Sequence, residues 1–177
     1  ELVVGPNGRR HDIPILAKQF TGPDWLALPV LDTLELSPLA FPRNPYHRLV
    51  KGYKLVPESR NNPLCDARLA LSLLADEIEA FALMQATDPD WVGVLHFLLR
   101  DEPGLCRLFE RLRGHPPPDA SDVRGPLLKA LAALCCGTRL ERLLESDLHE
   151  GPNTRWALAY TLAWLRVSGG NSVLPPW

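Results

Sequence analysis

The stretch Gly5-Pro6-Asn7-Gly8-Arg9-Arg10-His11-Asp12 constrains the fold of this chain more than any other. Before it stands a short apolar run, Leu2-Val3-Val4, which reads as the end of a strand. After it, Ile15, Leu16 and Phe20 recur at the spacing of one helix face. The chain must therefore turn a strand-to-helix corner, and that corner carries an acid, an Asn, a Gly and two Arg. A carboxylate placed there can ligate a cation, and the neighbouring guanidinium groups can hold phosphate. Asp12 also fits a purely local role, capping the helix Ile13–Phe20 with Pro14 in its first turn.

The 177 residues suffice for one good core or two small ones, and an apolar share of 46% with 23% charged residues is that of an ordinary globular protein. The net charge of -2 gives no basic signature, so any affinity for nucleic acid must be local. Through Arg60 the chain holds eight basic and six acidic residues, and beyond it eleven and fifteen; only the first third can face phosphate. Cys65, Cys106, Cys135 and Cys136 show no ligand-like spacing and read as reduced, mostly buried thiols of a cytoplasmic protein. No apolar run reaches about 18 residues, so no membrane span is expected. The chain opens inside an apolar run and closes on Pro175-Pro176-Trp177, and reads as a piece of something longer.

Along the chain, Thr21-Gly22-Pro23-Asp24 is a turn. Val30 to Leu36 is apolar on both faces and reads as a central strand interrupted by Asp32 and Glu35; Asp32 suits binding to a neighbouring turn. Pro38, Pro42 and Pro45 imply an irregular stretch after it. Lys51, Tyr53 and Lys54 mix cations with an aromatic ring, as a single-stranded nucleic acid site or an ordinary solvated loop does. Asn62 as cap and Pro63 at the first position start a helix that runs to about Met84. Ala67, Leu71, Leu74, Ile78 and Phe81 lie on its core stripe, and Asp76, Glu77 and Glu79 read as solvated charge. From Thr87 the chain turns to short helices, opened by Asp88-Pro89, by Asp101-Glu102-Pro103, by Gly125-Pro126 and by the capping box Thr138-x-x-Glu141. The last helix carries Trp156, Tyr160, Ala163, Trp164 and Val167 and ends at Gly169 or Gly170. His96, His115 and His149 are isolated, with no partner at metal spacing.

The run Asn7-Gly8-x-Arg10-x-Asp12-x-Pro14-x-Leu16 resembles the second motif of the DnaQ-like (DEDD) 3'–5' exonucleases, closest to their TREX-like branch. Val30-Leu31-Asp32-Thr33-Leu34 resembles the strand that follows it, and Asn61-Asn62-Pro63-Leu64-Cys65-Asp66-Ala67 the third motif, His-x-x-x-x-Asp. The resemblance covers about the first 85 residues. It implies an α/β then mainly α chain: a partial RNase H-like exonuclease domain over residues 1–86, and a helical connector or interaction domain over 87–177. Phosphodiester hydrolysis in that family uses two divalent ions roughly 4 Å apart on carboxylates, so the resemblance makes Asp12 and Asp66 the catalytic acids and the ligands of Mg²⁺ or Mn²⁺. Asn7, Arg9, Arg10, Lys51, Tyr53 and Lys54 would then meet single-stranded DNA or DNA ends. Three departures stand against full activity. No Asp-x-Glu precedes Asp12, Pro6 replaces a His, and Asn61 stands where the third motif has its general-base His; an amide cannot take a proton near neutral pH. Asp32 to Pro38, with Asn44 to Leu49, also resembles exonuclease-like domains joined to RecQ-type helicases, though no nucleotide-binding Gly-x-x-x-x-Gly-Lys-Thr is present.

Three readings follow from the sequence. In the first, the chain is part of a DNA-processing, DNA-repair exonuclease, inactive as the piece seen here. In the second, it is a degenerate nuclease-like scaffold whose helical half binds a partner protein or the rest of its own polypeptide. In the third, it is a plain all-α scaffold.

Overall fold

A computed structural model of the chain describes residues 1–20, 23–44, 62–131, 138 and 151–168. Lys51, Tyr53, Lys54, Asn61, His47, His149, Cys135, Cys136 and the Glu141 end of the capping box lie outside the described residues. The chain divides into two compact units, Glu1–Ala80 and Phe81–Trp177.

The first unit contains the expected corner. Strand β1, Val3–Gly5, leads through a π-helical turn at Gly8–Asp12 into helix α1, Ile13–Gln19. Asn7 opens that turn at φ 58°, the left-handed region that Asn tolerates better than other residues with a side chain. A single 3₁₀ turn, Asp24–Ala27, precedes strand β2, Val30–Asp32. β1 and β2 pair in parallel, with Val3 opposite Val30, Val4 opposite Leu31 and Gly5 opposite Asp32.

Here the sequence expectation fails in an instructive place. Val30–Leu36 is not one strand. The strand ends at Asp32, and helix α2, Thr33–Ala40, begins at the next residue. Asp32 is its cap, with one carboxylate oxygen accepting from the Leu34 N–H at 3.0 Å, and Glu35 stands three residues on, the spacing of a helix start. The helix then runs past Pro38 to Ala40, where prolines had implied irregular chain. The described residues therefore hold a two-stranded sheet of three-residue strands in an otherwise helical protein. An RNase H-like domain needs a broad mixed sheet, so that fold assignment is overturned.

Helix α3, Pro63–Thr87, starts as its sequence dictates. Pro63 takes the first position, and the Asn62 side-chain oxygen accepts from Leu64 N–H at 3.0 Å and Cys65 N–H at 3.4 Å. Of the expected core stripe Phe81 is buried and Leu74 half-buried, while Ala67, Leu71 and Ile78 are exposed. Ala70, Glu77 and Phe81 are the buried positions, while Leu64 (58% exposed), Leu71 (59%) and Ile78 (38%) stand at the surface. Leu31, Leu36, Leu39, Ala40 and Ala70 form the apolar core of the first unit.

The second unit is built around helix α4, Pro89–Leu98. Every residue from Trp91 to Leu99 is buried, as suits a helix that is apolar all round. Asp88 caps it, accepting from the Trp91 N–H at 3.1 Å. Around it pack α5, Pro103–Arg113, α6, Ala120–Leu131, and α7, Pro152–Ser168. The ring of Phe81 meets that of Phe109 edge to face, with centroids 5.2 Å apart. Two arginines of α7 fasten the ends of α4. Arg155 pairs with Asp101, and Arg166 pairs with Asp88 while lying 4.5 Å over the Trp91 ring. α6 begins at Ala120 rather than at Gly125-Pro126, because Asp119 N–H and the Asp122 carboxylate (3.3 Å) already close its first turn.

Among the described residues no helix is long and apolar enough to cross a membrane.

Candidate functional site

The corner residues are drawn into local structure. Asp12 stands at the cap position of α1 but its side chain makes no capping hydrogen bond. Asn7 N–H donates to the buried Asp32 carboxylate at 2.8 Å, so one oxygen of Asp32 ties the corner to the start of α2. Arg9 and Arg10 both reach Glu35, each at 3.6 Å. Two guanidinium groups turned toward one carboxylate are offset by it and do not form a bare phosphate cradle.

Asp12 and Asp66 do line the same open cavity, of about 890 Å³, in the first unit. Its walls are otherwise mostly apolar: Leu2, Val4, Pro6, Ala67 and Leu71 among them. No third carboxylate lines it, and Asp12 and Asp66 belong to no group of three His, Cys, Asp or Glu side chains among the described residues. A DEDD centre requires four acids around two ions. The two-metal nuclease site, and with it the DNA-processing assignment and the exonuclease resemblance, is therefore set aside.

The cluster that does converge lies in the second unit, on residues that looked unremarkable in the sequence. α4 and α5 form a hairpin through a short turn at Leu99–Glu102, which brings His96 of the first beside Cys106 and Glu110 of the second. Ligand-capable atoms of all three lie within 4.8 Å of one another. His96 Nε2 is 3.7 Å from Cys106 Sγ, and Cys106 Sγ is 3.8 Å from Glu110 Oε1. Arg113, one turn beyond Glu110, places Nη1 at 2.8 Å from His96 Nδ1 and at 3.2 Å from the Pro116 carbonyl.

Chemistry orders this chain of contacts. A guanidinium only donates, so His96 Nδ1 is the acceptor and the ring hydrogen sits on Nε2. Nε2–H then points at Cys106 Sγ, and the thiol donates to Glu110 Oε1. Burial, then the Arg113 charge, lowers His96 to about 4, so it is neutral at physiological pH. Burial, then the Glu110 charge and hydrogen bond, pushes the Cys106 thiol up. A thiol held protonated beside a ring whose facing nitrogen already bears hydrogen is not a Cys–His nucleophile. Cys65 and Cys106 are both free and half-buried.

The cluster of His96, Cys106 and Glu110 and the burial of Glu77 are not legible in the sequence. Cys106 and Glu110 stand four apart on a helix, a same-face spacing that signals a pair; His96 becomes their partner only through the hairpin, which no local pattern encodes. Glu77 reads as solvated from sequence and is fully buried, with neither carboxylate oxygen hydrogen-bonded. Burial, then Asp32 and Asp76, raises it to about 8.

No protein-family profile, curated protein or solved structure matches this chain.

Proposed function

We propose that this chain is a helical interaction module that receives a basic amphipathic helix of a partner protein along the outer face of α3. The observation that carries this reading is the exposed row Leu64, Leu71 and Ile78, repeated every seven residues along a helix that buries Ala70, Glu77 and Phe81 on an adjoining face. Seven residues are nearly two turns, so the three side chains and the exposed Ala75 fall on one line. Single exposed apolar residues are common on protein surfaces; a straight contiguous row has the form of a helix-docking seam.

Charge selects the occupant. Asp76 and Glu79 lie along one side of the row, and the cavity bearing Asp12 and Asp66 opens on the other. Outside its buried positions α3 carries Asp66, Asp76 and Glu79 against Arg68 alone. A second copy of this chain would set these acids against each other, whereas a Lys- or Arg-flanked helix complements them. Covering three half-exposed side chains contributes roughly 1 kcal/mol each, half the value for complete burial.

The test is fluorescence anisotropy with two labelled helical peptides, each with Leu every seventh residue, one flanked by Lys and one by Glu. The Lys-flanked peptide is expected to bind the whole chain, and Leu71→Glu to weaken it at least tenfold with an unchanged circular dichroism spectrum. Equal binding of both peptides, or a Leu71→Glu chain that binds as tightly as the parent, would contradict the reading. Self-association removed by Leu71→Glu would replace the partner with a second copy.

A further inference from the structure

We propose that His96, Cys106 and Glu110 form a binding site for a borderline-soft divalent cation, Zn²⁺, which Arg113 must release the ring of His96 to admit. The site is separate from the α3 face and independent of its role.

Three observations meet here. The first is the donor set. One imidazole, one thiol and one carboxylate are the nitrogen, sulfur and oxygen ligands that Zn²⁺ takes, and the oxygen-seeking Mg²⁺ and Ca²⁺ do not favour such a mixture. The second is spacing. Tetrahedral zinc with bonds of about 2.0 to 2.3 Å separates neighbouring nitrogen, sulfur and oxygen ligands by about 3.5 Å; two of the three pairs here stand at 3.7 Å and 3.8 Å, and the third lies within 4.8 Å. The third is support. His96 is fully buried and its ring lies along that of Phe109, centroids 6.0 Å apart and 28° between planes, so the imidazole is already fixed in direction. Cys106 and Glu110 come from successive turns of one helix. With Cys106 only half-buried, the fourth position faces water.

The proton balance identifies the role of Arg113. Nε2 now bears the ring hydrogen and the thiol its own. On binding, the thiol proton passes to solvent and sulfur bonds the metal. The ring proton moves from Nε2 to Nδ1, freeing the Nε2 lone pair. Nδ1–H and the Arg113 N–H cannot face each other at 2.8 Å, so Arg113 withdraws, and the Pro116 carbonyl at 3.2 Å is its remaining acceptor. One proton is released for each metal bound.

Cobalt substitution of the whole chain tests this. Titrating Co²⁺ is expected to give a one-to-one complex with the visible bands of four-coordinate cobalt, a thiolate-to-cobalt charge-transfer band and one proton released; Zn²⁺ then abolishes the bands with no further change in bound protons. Cys106→Ser should abolish the charge-transfer band, Glu110→Gln should weaken binding at least tenfold, and Arg113→Met should tighten it about tenfold. Cys106 and Glu110 are not core residues, so their variants should keep the parent's circular dichroism. Absence of the bands, or a charge-transfer band that survives in Cys106→Ser, would overturn the site; an Arg113→Met chain that binds no more tightly would overturn the gating role.

Discussion

Glu77 shows how a single position can carry more than its letter suggests. It sits between Asp76 and Ile78 on a helix rich in acids, and nothing local marks it as buried. The structure encloses it without a partner and near Asp32. Folding raises its pKa from 4.5 to about 8, so the folded chain keeps a proton that the unfolded chain has lost. Stability from this group is fully present below pH 4.5 and is lost as pH rises to about 8, with a slope of up to about 1.4 kcal/mol per pH unit. Urea denaturation across that window should show the decline in the parent and a flatter profile in Glu77→Gln. Asp32, also buried, has hydrogen-bond partners. Its carboxylate accepts two backbone N–H groups, from Asn7 and Leu34, so Asp32→Ala should cost about 2–3 kcal/mol in the same measurement.

At the scale of elements, the parts legible in the sequence were those specified by neighbouring residues. Asn62-Pro63 and Asp88-Pro89 announce α3 and α4, because an amide or carboxylate cap followed by proline satisfies the first turn locally. Asp32-x-x-Glu35 was equally local, yet the apolar run Val30–Leu36 hid it; a short run apolar on both faces fits a buried strand and a buried helix alike. Gly125-Pro126 has the form of a helix start, but Asp119 and Asp122 close the first turn of α6 before it. The outward face of α3 was unreadable for another reason: its apolar residues surround much of the helix, so periodicity alone could not say which of them meets the core. Two glycines make matching predictions. Gly93 lies inside α4, and a methyl group there would come no closer than 3.8 Å to Arg113; Gly93→Ala should raise stability by about 0.5–1 kcal/mol. Gly114 closes α5 at φ 71°, where Ala is strained; Gly114→Ala should lower the melting temperature, by about 1–2 kcal/mol of stability.

For the whole molecule, the corner that dominates the sequence does not dominate the chemistry. Asn7, Arg9, Arg10 and Asp32 spend their polar groups on one another and on Glu35, and Asp12 and Asp66 share a mostly apolar cavity that, among the described residues, holds no further acid. The convergent polar cluster belongs to the second unit, in a hairpin whose partners are ten and fourteen residues apart. The exposed row Leu64, Leu71 and Ile78 on α3 is the observation on which the proposed interaction rests. Methyl NMR of the whole chain during titration with the Lys-flanked helical peptide reads that seam atom by atom. Saturable shifts are expected at Leu64, Leu71 and Ile78, while the core methyls of Leu36 and Leu39 stay in place. Shifts confined to other residues, or none at peptide concentrations that saturate a micromolar site, would contradict it.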